Sequence, residues 1–299
     1  MTSTRKARPA SRWLGLLGAA LTAAPGLAHA RAVDLVYERT VMTAADARCG
    51  LFTPDVSAAL SAARMQARGA ALRSGADLQA LRVLEREAND KGASADCSSR
   101  DIAVAAARVR DAFAGYARTQ RITYPGDQAG WRADRTGPGD IRWRLAQEAR
   151  FGRDRMTFGL AGRQTAGVLL AVAEFADGQA PYGARLLLRD DRRCEAPYLD
   201  GPNTSARGLP LDHRLPPRSA LRAYPAEARS PAGADLLPKN GGGGWAFRFP
   251  AQAARDLARL DPREAIAVEY LFPGDVVRRA YIEVGDFAAG RAFLALSAR

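Results

Sequence analysis

The chain has 299 residues, 47% of them hydrophobic and 25% charged, a globular balance that excludes a disordered, collagenous or fibrous protein. After residue 30 no run of about 18 apolar residues occurs, which excludes a spanning helix there. The formal net charge of +12 falls to +8 without the first thirty residues, which hold four bases and no acid. Lysine occurs only at Lys6, Lys91 and Lys239, so the remaining bases are almost all arginine. GC-rich codon usage produces that pattern without selection for a polyanion, and the charge alone does not name a partner.

Arg5, Lys6, Arg8 and Arg12 precede the apolar run Trp13 to Leu27, and Ala28-His29-Ala30 is a small-x-small cleavage site. Residues 1–30 therefore read as a signal peptide, with the mature chain starting at Arg31. No cysteine follows the run for lipid attachment and no twin arginine precedes it, which favours the general secretory route. The expected location is the periplasm if the source is Gram-negative, and the medium otherwise.

From residue 31 to about 120 the period is helical and predicts a four-helix unit. The segment Asp34 to Arg48 ends at Cys49-Gly50, where glycine suits a left-handed cap. Thr53-Pro54-Asp55 reads as N-cap, proline at the first helical position and an acid in the first turn. Val56, Ala59, Leu60, Ala63, Ala67 and Ala70 follow on one narrow face. Ser74 with Asp77 marks a third start, ahead of Leu78, Leu81, Leu84 and Ala88. Ser98 with Asp101 marks a fourth, ahead of the stripe Ile102, Ala105, Val109, Ala112, Phe113 and Tyr116. Alanine-rich faces bury little area per residue, so a cross-link from the end of the first helix to the start of the fourth would offset a small core. An oxidising compartment allows one, and Cys49–Cys97 is the expected disulfide, leaving Cys194 over.

Tyr124-Pro125-Gly126-Asp127 signals a turn, and over residues 121–299 the period becomes two. Ile141, Trp143 and Leu145 alternate with Arg142 and Arg144, which sends Trp143 toward a core. Met156, Phe158 and Leu160 alternate likewise, and Val168 to Phe175 is a continuous apolar run. Leu186 and Leu188 oppose Arg185 and Arg189. Trp245, Phe247 and Phe249, then Ile266 to Phe272, then Val276 to Val284, complete the series. Helices interrupt it at Pro250 to Leu260 and close it at Asp286 to Leu296. Between Pro202 and Asn240 no period survives, and seven prolines fall in those 39 residues, as in a functional lid or a disordered insert. The fold class is α+β: an N-terminal disulfide-closed helical bundle, then an antiparallel β-sandwich or open barrel with a C-terminal helix. Over the last fifty residues, the strands Ile266 to Phe272 and Tyr281 to Val284 followed by a helix resemble small exported β-modules of the invasion-associated locus B type. The late cysteine pair of such modules is missing here, and no function is carried across.

Asp190, Asp191 and Glu195 bring three carboxylates to a strand end, where acid–base work or a hard cation could use them. The run Asp190-Asp191-Arg192-Arg193 also neutralises itself, as a solvated turn does. Cys194 with His213 has the residue types of a nucleophile and base but no flanking signature. Lys239 to Gly244 lacks the order of a phosphate loop and leads into a strand. One histidine after residue 30 and no close cysteine pair leave no metal-ligand spacing, and no cofactor motif occurs. Arg142, Arg144, Arg185 and Arg189, with Arg248, face away from the apolar side of their strands. Were those strands neighbours, the arginines would form a stripe that holds carboxylates or phosphates bidentately. The expected function is an exported, soluble, non-enzymatic binding or scaffold module of the envelope. Its partner would be an envelope component, another protein or an anionic polymer, and not nucleic acid. The alternative is a periplasmic hydrolase using carboxylates near Asp190, Asp191 and Glu195.

Overall fold

The computed structural model describes residues 25–137, 139–163, 167–199, 206–237 and 242–295. The signal-peptide reading thus lies outside the described residues up to residue 24, as does Lys239-Asn240-Gly241. Among the described residues four helices come first: α1 Pro25–Cys49, α2 Pro54–Arg73, α3 Leu78–Ala93 and α4 Arg100–Arg118. Gly50 takes φ +61° after α1, as a left-handed cap requires. Thr53 stands before Pro54 in extended conformation. The Asp77 side chain accepts from the Ala80 amide (2.8 Å) and so caps α3, while Ser74 closes α2 instead of opening α3. Ser99, one residue later than the sequence signal, caps α4 by accepting from the Ile102 amide (3.2 Å). α1 lies centrally and packs against both α2 and α3. The contact with α3 is close because Gly92 has no side chain; a Cβ there would meet the Val41 carbonyl oxygen at 2.3 Å. Cys49 is bonded to Cys97 with Cα atoms 5.6 Å apart, joining the end of α1 to the approach to α4.

Among the described residues eleven strands follow, all paired antiparallel, in two sheets. They are β1 Arg121–Tyr124, β2 Trp131–Asp134, β3 Arg142–Phe151, β4 Asp154–Gly162, β5 Val168–Glu174, β6 Gly183–Arg189, β7 Leu221–Pro225, β8 Ala228–Pro231, β9 Trp245–Phe249, β10 Ala265–Phe272 and β11 Val276–Glu283. The seven-stranded sheet runs β1-β2-β3-β4-β5-β9-β8 and the four-stranded sheet runs β11-β10-β6-β7. Leu145, Phe158, Leu169, Phe247 and Phe249 of the first pack against Leu186, Leu188, Ile266, Val268, Tyr270 and Phe272 of the second, so the β part is a sandwich. Each such fully buried side chain contributes about 1.5–3 kcal/mol. The Pro-rich segment is not structureless. It carries β7 and β8, two edge strands that end in Pro225 and Pro231, where a missing N–H costs no interior ladder bond. It also carries a 3-10 turn, Leu211–Arg214, packed against β10 and β11. β10 is consequently covered on both faces: Ala267 and Glu269 are as buried as Val268 and Tyr270.

Helix α5 Ala251–Leu257 precedes β10, and α6 Phe287–Ala295 follows β11. α6 packs against α2, β2 and β3 and ties the helices to the sandwich. Leu60, Ala63 and Phe113 of the helical part share one core with Trp131, Phe287 and Phe293. Phe293 meets the Tyr116 ring edge-on at 5.5 Å, and the Tyr116 and Tyr124 hydroxyls lie 2.9 Å apart. At the same seam Arg73 of α2 grips Asp286, ahead of α6, with two hydrogen bonds of 2.9 and 2.8 Å. No helix among the described residues is long and apolar enough to cross a membrane.

Candidate functional site

The four arginines singled out from the sequence do not share a surface. Arg142 and Arg144 lie on β3 of the larger sheet, Arg185 and Arg189 on β6 of the smaller one. On β3 the register shifts between Trp143, opposite Ala161, and Leu145, opposite Leu160; Arg144 is the extra residue of a bulge. One added residue turns the alternation over. Leu145 enters the main core, whereas Trp143 packs on the opposite face against Val172 and Leu236 and donates to the Leu236 carbonyl (3.0 Å). Arg144 is fully buried, donating to the carbonyls of Thr136 (2.6 Å) and Gly162 (3.2 Å). Arg142 donates to Thr136 Oγ1 (3.0 Å).

On the smaller sheet the arginines are consumed by carboxylates. Arg185 Nε lies 2.5 Å from Glu269, which also accepts from Arg279 Nε (3.0 Å). Burial pushes the Glu269 carboxyl up, but the two guanidinium groups more than reverse this and hold it below the usual range. Arg189 is buried against Glu264 (2.5 and 3.2 Å) and donates onward to the carbonyl of Cys194 (2.5 Å). Two of the three carboxylates expected for acid–base work are likewise engaged. Asp190 is buried and accepts from Arg222 (2.6 Å); exposed Asp191 lies 3.5 Å from Arg259. Glu195 is exposed, and it is its backbone carbonyl that accepts from Arg189 (3.2 Å). The Cys194 thiol donates to the Ala196 carbonyl (3.3 Å), and His213 sits on the 3-10 turn over the sheet.

Basic charge collects instead at the β3–β4 turn. Phe151 pairs with Asp154 across the two-residue turn Gly152-Arg153, and Gly152 takes the positive φ (+61°) that such a hairpin needs. The turn, the start of the β5–β6 connection and β11 border a cleft of about 600 Å³ lined by Arg150, Arg153, Arg278, Arg279 and Tyr281. Arg278 lies 4.5 Å from the Phe272 ring centre and is held by Asp154 (3.1 Å) and Asp177 (2.5 Å). Arg279 is turned toward Glu269 and donates to the Tyr281 hydroxyl (3.3 Å). Arg150 and Arg153 are exposed and have no side-chain partner among the described residues. Sequence reasoning passed over both because the alternation read on β3 stopped at Leu145, short of Arg150, and Arg153 lies in the turn. The usable signal is local: Arg150-Phe151-Gly152-Arg153 puts one base near the end of a strand and another in the hairpin tip. Among the described residues no three of His, Cys, Asp and Glu converge on a metal position. Compared with known proteins, the chain matches no family model, no curated protein and no solved structure.

Proposed function

We propose that the chain is an exported, non-enzymatic binding module that holds an anionic polymer of the cell envelope at the cleft beside the β3–β4 turn. Two exposed guanidinium groups without side-chain partners among the described residues, Arg150 and Arg153, carry this conclusion. A free guanidinium presents a planar fork to phosphate or carboxylate, and an open cleft admits a chain that a closed pocket would not. The engagement of Asp190 and Asp191 by arginine favours binding over acid–base catalysis, which needs a carboxyl free to exchange its proton. Export is supported at the other end of the chain. Ala30 and Arg31, on either side of the expected cleavage point, are exposed. The Cys49–Cys97 bond suits the same compartment.

The test uses protein recovered from the envelope fraction, whose N-terminal sequence is expected to begin at Arg31. Its binding to polyphosphate and to polygalacturonate is measured at low and at high salt. Binding is expected to weaken steeply with salt, as exposed charges are screened. The double variant Arg150→Glu/Arg153→Glu is expected to bind about tenfold more weakly, or worse, at unchanged thermal stability. Absence of binding at low salt, or binding that the double variant leaves intact, overturns the proposal.

A further inference from the structure

The helical part carries a second basic cleft, remote in sequence from the first and built differently. α2 and α3 both rest on α1, and the groove between them has a volume of about 530 Å³. α2 contributes Arg64 and Arg68, and α3 contributes Arg82 and Arg86. Each pair is spaced four residues apart, so it lies along one helix face. Thr40 of α1 also lines the groove. Two carboxylates, Glu85 and Asp90, line it as well; Glu85 is taken by Arg68 (2.9 Å). Arg64, Arg82 and Arg86 have no side-chain partner among the described residues.

The state of Thr40 distinguishes this groove from a solvated charged face. A threonine hydroxyl in a helix ordinarily donates back to the carbonyl one turn earlier. Thr43, on the same helix, does so to the Arg39 carbonyl (2.7 Å). Thr40 is 2% exposed, and its Oγ1 is buried with no hydrogen-bond partner among the described residues. The Nε of Arg64 is buried and unpartnered in the same way. A buried hydroxyl and a buried guanidinium N–H left without acceptors, beside further like charges, are an unfavourable arrangement that an acceptor oxygen with negative charge would relieve.

We infer that the α2–α3 groove binds the phosphate of a small phosphate monoester, with Thr40 Oγ1 and Arg64 Nε as inner donors and Arg82 and Arg86 as outer ones. Four guanidinium groups against two carboxylates leave an excess of two positive charges, which matches a dianion. Phosphate offers oxygens enough for a hydroxyl and more than one arginine fork at once. The volume falls within the range of about 300–1,000 Å³ typical of small-molecule sites, and so leaves room for a group of sugar size behind the phosphate. Met65, which also lines the groove, gives that group an apolar contact. This site is independent of the polymer-binding cleft and shares no residue with it.

Calorimetric titration of the whole protein with inorganic phosphate, glucose 6-phosphate and glucose tests the assignment, alongside flotation with vesicles containing phosphatidic acid. Saturable binding of both phosphates and none of glucose is expected. Arg64→Gln should weaken binding about tenfold or more, the loss of a charge-assisted contact. Thr40→Val should weaken it severalfold while raising the melting temperature of the ligand-free protein, because it removes an unsatisfied hydroxyl without changing shape. Arg150→Glu/Arg153→Glu should leave phosphate binding unchanged, which separates this site from the polymer cleft. Capture by phosphatidic acid vesicles that Arg64→Gln abolishes would assign the phosphate to a lipid headgroup; binding of glucose 6-phosphate alone would assign it to a free metabolite. The inference is overturned if the natural protein binds neither soluble phosphate nor vesicles, or if Arg64→Gln and Thr40→Val, both folded, bind as it does.

Discussion

Glu264 shows how a single side chain is made indispensable. It is fully buried, with Arg189 on one side and the Asp261 amide (3.0 Å) on the other. Burial pushes its carboxyl up and the guanidinium of Arg189 pulls it back. Removing one member of such a pair strands the other, so Glu264→Gln is expected to cost about 3 kcal/mol in denaturant unfolding, whereas an apolar replacement of both partners should cost much less. Because Arg189 also holds the carbonyls of Cys194 and Glu195, thiol labelling of Cys194 should accelerate in Glu264→Gln. None of this pairing is legible in the sequence, since residues 189 and 264 meet only through the strand order of the smaller sheet. Arg144 was misread for a different reason. Alternation placed it on an outer face, and a bulge that no residue type announces put it inside.

At the scale of elements, what the sequence made legible were features set by near neighbours. The positions of Cys49 and Cys97, at the end of one helical period and before the start of another, pointed to the bond the structure contains. On the chain-entropy model a loop of 48 residues stabilises by about 4 kcal/mol. Cys49→Ser/Cys97→Ser should therefore lower the stability of the helical part by about that amount, seen as earlier amide exchange in α1 and α4 than in β10. Equal loss of protection throughout would show instead that helices and sandwich unfold as one. β1, β2, β7 and β8 escaped the sequence reading because they span four or five residues each and lack the three large apolar residues in alternation that mark the equally short β9. One of the two glycines of β4 points the same way. Gly159 takes φ +153°, and a Cβ there would lie 1.8 Å from the Leu145 carbonyl oxygen, a contact visible only once β3 and β4 are side by side.

The molecule as a whole is held at the seam where Arg73 meets Asp286. Burial raises the Asp286 carboxyl above its ordinary value, against the pull of Arg73. An acid whose folded pKa exceeds its unfolded one binds its proton more readily when folded. Its contribution is complete below the unfolded pKa and is lost as pH rises through the folded one. Melting of the natural chain and of Asp286→Asn, compared from about pH 4 to 7, should therefore show the variant gaining on the natural chain as pH rises, by at most about 1.4 kcal/mol per pH unit. Glu269 and Asp256, held below their usual values, drift oppositely in both proteins and cancel in the difference. Close to this seam Glu283 accepts from three successive amides, those of Asp127, Gln128 and Ala129 (2.8, 2.8 and 3.0 Å), while the Trp131 indole donates to the carbonyls of Glu283 and Val284 (3.2 and 3.0 Å). The carboxylate comes 156 residues after the first of those amides. A chain leaving the ribosome presents the β1–β2 turn long before β11, and until Glu283 emerges its row of donors stands open to any other carboxylate. The three amides therefore gain this acceptor only after β11 has been added to the chain.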